Sequence, residues 1–208
     1  MHPRQKEIVW TPELAYSVGL ITTDGCLSSD GRHIDFTSKD LDLVETFKKC
    51  LGLTNSIGVK HNGRGQNSFR IQFGDVAFYR WLVSIGLTPN KSKTLGPILV
   101  PDHLFFDFLR GHLDGDGSIV KYQDPIWQNS KRLYVRFTSA SQRHINWLQK
   151  KILQISGMEG FIQSYSGMYR LSFSKHYSIS LLDEIYPITP IPHLPRKFAI
   201  AQEFLMPR

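Results

Sequence analysis

Cysteine is scarce in this 208-residue chain, with Cys26 and Cys50 the only two. Two cysteines without metal-type spacing exclude a disulfide framework and a cysteine-based zinc module, and imply reduced thiols in an intracellular setting. The eight histidines are scattered and form no zinc pattern. Long apolar runs are missing too: none approaches the roughly 20 residues of a membrane helix. Met1–Glu7 carries no apolar stretch of the kind found in a secretory signal. A soluble protein with no membrane attachment is expected. Acids are outnumbered, 18 against 25 Lys and Arg, which gives a formal charge of +7 and a pI near 9.4. The excess is dispersed along the chain, and it favours a polyanionic partner such as nucleic acid. Apolar residues make up 41% of the chain, with 13 Phe among them, enough for a packed core and too many for a disordered protein.

One stretch organises the rest. Phe108–Ser118 runs as an apolar helix pattern and then stops at two carboxylates, Asp114 and Asp116, interleaved with Gly115 and Gly117. Glycine is a poor helix residue and a good terminator, so an acid is delivered at a helix end. An EF-hand loop starting at Asp114 fails, because its sixth position is Ile119 and its twelfth is Pro125. The pattern also recurs. Ser17–Gly25 aligns without gaps on Leu109–Gly117, which pairs Asp24 with Asp116 at an offset of 92 residues. Gly19 and Thr23 are four apart, as are Gly111 and Gly115, so each pair of small residues shares one helix face. Two helices packed along those faces bring two carboxylates together, a place to hold a divalent metal.

The surrounding chain repeats as well. Thr11, Pro12 and Glu13 start a helix by an N-cap, a proline at the first position and an acid in the first turn. A hairpin with a turn at Asp30–Gly31 returns through His33–Thr37. Ser38 is expected to cap a helix carrying Leu41, Val44, Phe47 and Leu51 on one face. A second hairpin runs 56–61 and 68–73 about a turn at 62–65, and a helix follows from Asp75 to Ile85. In the second half Phe137–Ser139 answers Phe36–Ser38, Gln142–Ile155 answers the helix after Ser38, Tyr169–Phe173 answers Phe69–Phe73, and 176–185 answers 75–85. The expected fold is α/β (α+β), two αββαββα repeats over 1–98 and 99–208, joined by a packed connector at Leu95–Pro101. Asp24 to Phe36 spans 12 residues and Asp116 to Phe137 spans 21, so the first hairpin of the second half is nine residues longer.

These motifs are similar to the paired motifs of the LAGLIDADG homing endonuclease family in its single-chain, two-repeat form. The likeness spans nearly the whole chain. It departs at Thr22, where the family usually has an acid, and at His112, where an aliphatic residue is usual. The resemblance implies a saddle over double-stranded DNA, with the motif helices at its centre, packed at Gly19 and Gly111. It also implies a metal-dependent endonuclease that cuts both strands across the minor groove and leaves short 3′ overhangs. Asp24 and Asp116 would be the catalytic acids. Lys91 and Lys197, each two residues after a proline, would be the basic partners, with Lys93 a rival for the first. Mg2+ would lie on Asp24, Asp116 and the carbonyls of Thr23 and Gly115, with Mn2+ or Ca2+ able to replace it for binding.

Strand alternation turns Lys60, Arg70, Gln72, Tyr134, Arg136, Arg170 and Ser172 away from the helices, where Arg and Gln suit guanine and adenine edges. That reading puts Ile57 and Val59 inward. The long hairpin adds Gln128 and Lys131 and implies an asymmetric target, and the resemblance implies that the target is long and read by a monomer. Two other functions fit the same motifs, an RNA-binding intron maturase and a catalytically inactive DNA-binding regulator.

Overall fold

The computed structural model describes residues 8–61, 67–123, 131–188 and 190–205. Its elements follow the expected order. In the first half, α1 (Pro12–Asp24) leads to β1 (Gly25–Leu27) and β2 (His33–Ser38), then α2 (Leu41–Cys50), β3 (Gly58–His61), β4 (Asn67–Gly74) and α3 (Val76–Ser84). In the second, α4 (Phe105–Asp114) leads to β5 (Ser118–Gln123) and β6 (Lys131–Ser139), then α5 (Gln142–Ser156), β7 (Phe161–Tyr165), β8 (Met168–Phe173) and α6 (Lys175–Ile185). An eleven-residue helix, α7 (Pro195–Leu205), follows without a counterpart in the first half. It was not legible from periodicity. Each half forms one antiparallel four-stranded sheet, ordered β1-β2-β4-β3 and β5-β6-β8-β7. The α/β architecture of two like halves is as expected.

Local chemistry accounts for the boundaries. Thr11 accepts from Leu14 N at 3.1 Å with Pro12 at the first helical position, and α1 begins there. Asp75 and Ser141 cap α3 and α5 in the same way. The expected cap at Ser38 moves to Asp40: the Ser38 hydroxyl accepts from Asp40 N at 3.2 Å, two residues too early to cap the helix. At the first hairpin Gly31 has φ +75°, and the Asp30 carboxylate accepts from the Arg32 and His33 amides, which fixes the turn.

The cores lie between helices and sheets. Ile34, Phe36, Ile71 and Phe73 line the first, and Val135, Phe137, Leu171 and Phe173 the second. Phe36 stacks on Phe47 with ring centroids 4.4 Å apart. The connector packs as expected, with Leu95, Ile98 and Val100 buried and Ser141 Oγ donating to Leu95 O at 2.6 Å. In the first sheet one alternation fails. Val59 is 52% exposed rather than inward, because β3 is an edge strand and the helices pack over β2 and β4.

The β5–β6 hairpin differs from the β1–β2 hairpin in the way its length implied. The β1–β2 register ends at Leu27↔Ile34, followed by one further bond from Ser28 N to His33 O, whereas beyond the matching Ile119↔Val135 the β5–β6 ladder continues through four more pairs to Gln123↔Lys131. Tyr122 and Tyr134 stack on this extension at 6.1 Å. Gln128, the side chain of Lys131 and the turn at 62–65 lie outside the described residues.

His112, the odd residue of the second motif, is fully buried and stacks on His144 of α5, with ring planes 13° apart and their Nε2 atoms 3.0 Å apart. His144 Nδ1 meets Gly96 O of the connector at 2.8 Å. Among the described residues His112 Nδ1 has no partner. Burial, and then the neighbouring His144, hold the His112 pKa well below its ordinary value. The unfolded chain therefore binds protons that the folded chain refuses, and stability from this group falls as pH drops below about 6.5. Replacing His112 by leucine, the residue type of its counterpart Leu20 in α1, should remove that loss. In urea unfolding, the stability of His112→Leu relative to the parent should rise by up to about 1.4 kcal/mol per pH unit between pH 6.5 and 5. Parallel curves would show that His112 takes up a proton in place.

Candidate functional site

The site is built by two helices that touch through glycine. Every residue of α1 from Leu14 to Thr22 is buried, and so is α4 from Phe108 to Asp114, because each packs on its own sheet and on the other helix. A Cβ at Gly19 would lie 2.1 Å from Phe108 O, and one at Gly111 would lie 2.0 Å from Tyr16 O. No side chain fits at either position. The helices meet backbone to backbone.

That contact brings their C-terminal ends together. A Cβ on Gly115 would fall 2.0 Å from Thr23 Oγ1 and 2.7 Å from Asp24 Oδ2, so the Asp24 carboxylate lies directly against the turn that carries Asp116. Asp24 is half-buried and Asp116 exposed. Loss of hydration, then the charge of Asp116, push Asp24 up to about 6, against a hydrogen bond from Thr23 and the pull of Lys197 and Lys91. Asp116 is raised as well, by loss of hydration, with Lys197 and Lys91 again opposing. All four residues singled out for catalysis therefore share one electrostatic neighbourhood.

The lysines occupy it in an unexpected way. Lys91 is only 7% exposed, in a turn through Asn90 (φ +56°), and its Nζ donates to Gly25 O just past the end of α1. Lys197, 4% exposed on the first turn of α7, donates to the carbonyls of Leu113, Asp114, Gly115 and Gly117 at 2.6, 2.8, 3.0 and 2.7 Å. Burial lowers its pKa to about 8, against the pull of Asp114. Each ammonium thus sits where a motif helix ends and its free carbonyls carry partial negative charge. Lys93 is exposed.

Two carboxylates beside helix-end carbonyls make an all-oxygen donor set, which suits a hard cation such as Mg2+ or Ca2+. Among the described residues no group of three or more His, Cys, Asp or Glu side chains is placed to hold a metal. Asp24 and Asp116 would be its anchors. The Gly115 carbonyl expected to help is already bonded by Lys197.

The expected strand residues divide. Lys60 and Gln72 are exposed on the first sheet. Arg70 forms an ion pair with Asp35 of the neighbouring strand. In the second sheet Arg136 lies 5.2 Å over the Tyr134 ring, and Arg170 lies 4.2 Å over Tyr165. Ser172 is not outward-reaching: it is 1% exposed, a short side chain on an inner strand between Arg136 and Phe161, its cross-strand partners. Its hydroxyl has no partner among the described residues.

Sequence reasoning missed the use made of Asp114. It is buried and accepts from the hydroxyls of Tyr16 and Tyr186 and from the amide of Leu194. The one available signal was the mismatch between the repeats, which puts Asp114 opposite Thr22.

No protein-family model and no curated protein matches the chain. Solved structures do. The homing endonuclease I-WcaI bound to its DNA recognition sequence is similar over 98% of this chain and 89% of its own, with a TM-score of 0.67 and 12% identity. I-DmoI in complex with DNA and Ca is similar over 91% and 96%, at a TM-score of 0.60 and 15% identity. Full-length DUF199/WhiA from Thermatoga maritima is similar over 97% of this chain, at a TM-score of 0.60 and 16% identity; the chain spans 62% of that protein, less than two thirds of its length. The chain has the LAGLIDADG two-repeat saddle fold. Among the described residues no helix is long and apolar enough to cross a membrane.

Proposed function

We propose that the protein is a sequence-specific, divalent-metal-dependent double-strand DNA endonuclease, acting inside the cell as a monomer of two repeats, 1–98 and 99–208. The observation that carries this is the meeting of Asp24 and Asp116 at the ends of two glycine-packed helices, with Lys91 and Lys197 buried behind them. A paired acid with raised pKa values is poorly satisfied without a cation. Magnesium held by Asp24 and Asp116 would neutralise charge building on the scissile phosphate and supply a water of lowered pKa. The chain's own residues do the remaining work. Asp24 and Asp116 fix two cleavage points across one minor groove. Lys91 and Lys197 offset the negative helix ends, so that a phosphate can approach. Lys60, Gln72, Arg136 and Arg170 face the duplex and carry recognition, and the longer β5–β6 ladder makes the target long and asymmetric.

A regulator that binds DNA without cutting it is the second reading. It is favoured by Thr22 in the first motif and by the four carbonyls that already engage Lys197. Incubating the protein with a randomised duplex library in magnesium separates the readings. The endonuclease yields double-strand breaks with short 3′ overhangs at one asymmetric sequence, and chelation stops it. A regulator enriches a sequence and leaves it intact, and a maturase prefers structured RNA.

A further inference from the structure

Beside the acid pair lies a buried carboxylate that the proposed chemistry does not use. Asp114, the last residue of α4, is 1% exposed. It accepts from Tyr16 Oη of α1 at 2.9 Å, from Tyr186 Oη just past α6 at 2.6 Å, and from Leu194 N just before α7 at 2.7 Å. All three partners are donors, two to Oδ2 and one to Oδ1. The Leu194 carbonyl in turn accepts from Lys197 N and Phe198 N, both at 3.0 Å, the first bonds of α7. Asp114 therefore sits at the N-terminal end of an eleven-residue helix, where free amides and the helix dipole favour negative charge. From the first turn of that helix Lys197 reaches the opposite way, to the carbonyls at the end of α4. Each helix caps the other. The first half has no such arrangement: the Thr22 hydroxyl turns back onto Val18 O at 2.7 Å, and Lys91 sits in a turn rather than a helix.

We propose that Asp114 is a positioning residue for the Asp116 half of the site: it docks α7, so that Lys197 holds the 115–117 turn and Asp116 in place. The Asp24 half lacks this device. The effect on cutting rests on the endonuclease reading, whereas the docking is a property of the free protein.

Two measurements on Asp114→Asn test it, with Tyr186→Phe as a milder variant that keeps the carboxylate and removes one donor. The first is amide hydrogen exchange without DNA. The α7 amides should exchange at least about tenfold faster in Asp114→Asn and severalfold faster in Tyr186→Phe, with the first sheet unchanged. The second is single-turnover cleavage of a duplex labelled on both strands. One strand should be cut about tenfold or more slowly and the other within about twofold of the parent rate, because only one half-site loses its support. Unchanged exchange in α7 overturns the proposal, as does equal slowing of both strands, the signature of general destabilisation. A parent protein that cuts no duplex sinks the endonuclease reading, and α7 exchange alone then decides the docking. If Asp114→Asn does not fold, Tyr186→Phe carries both measurements with the same signs.

Discussion

Replacing Asp24 or Asp116 by asparagine is expected to abolish double-strand cleavage while leaving duplex affinity within a fewfold of the parent. In the proposed cation site Asp24 and Asp116 are the two carboxylates at the motif-helix ends among the described residues, so each would supply half of the negative charge. Losing several kcal/mol of charge stabilisation at the phosphate corresponds to a rate loss of roughly 10³-fold or more. The residues proposed to read the duplex lie on the strands of the two sheets and not at the motif-helix ends, so binding should persist. Stability moves the other way. Asp24 has a folded pKa near 6, raised first by lost hydration and then by Asp116. A carboxyl whose pKa is raised on folding costs stability above that pKa, and the cost disappears as pH falls toward the unfolded value near 3.9. Asp24→Asn should therefore melt higher than the parent at pH 7.5, and the difference should shrink by pH 4.5. Scanning calorimetry at the two pH values, with a cleavage time course in magnesium, checks both halves. A variant that melts lower and still cuts would make Asp24 a structural residue and end the paired-acid reading.

The largest effect on folding is expected at the helix contact. Gly111→Ala or Gly19→Ala places a methyl carbon about 2 Å from a backbone carbonyl of the facing helix, with no flexible side chain to give way. Alanine normally stabilises a helix by nearly 1 kcal/mol over glycine. Here overpacking should outweigh it and cost about 3 kcal/mol or more, because two backbones must separate. For a chain of this size that lowers Tm by roughly 6–12 °C. Separation also pulls Asp24 from Asp116, so cleavage should fall more than the folded fraction does. Gly58→Ala is the control: its Cβ would meet nothing closer than Arg70 O at 3.9 Å, and its Tm should hold. Normal melting of Gly111→Ala would mean that the helices stand further apart than the glycines imply.

The chain's local grammar was legible in the residues. Thr11–Pro12, Asp30–Gly31 and the Phe-Thr-Ser repeats at 36–38 and 137–139 each specify a cap, a turn or a strand end within a few residues, so their meaning does not depend on distant partners. Apolar periodicity located the elements for the same reason, and the 92-residue repeat of a small-face helix ending in an acid led to two like halves joined at their motif helices. Tertiary structure decided the rest. Asp114 receives hydroxyls from residues 98 positions before it and 72 after it, and Lys197 caps a helix more than 80 residues upstream. His112 found its ring partner on another helix, and Ser172 was buried by longer neighbours on adjacent strands. None of these partners lies within a helical turn or a strand alternation of its residue. Side-chain type and spacing fix what a residue can do locally, but hydration, charge and hydrogen-bond partners belong to the packed neighbourhood, which only the folded chain assembles.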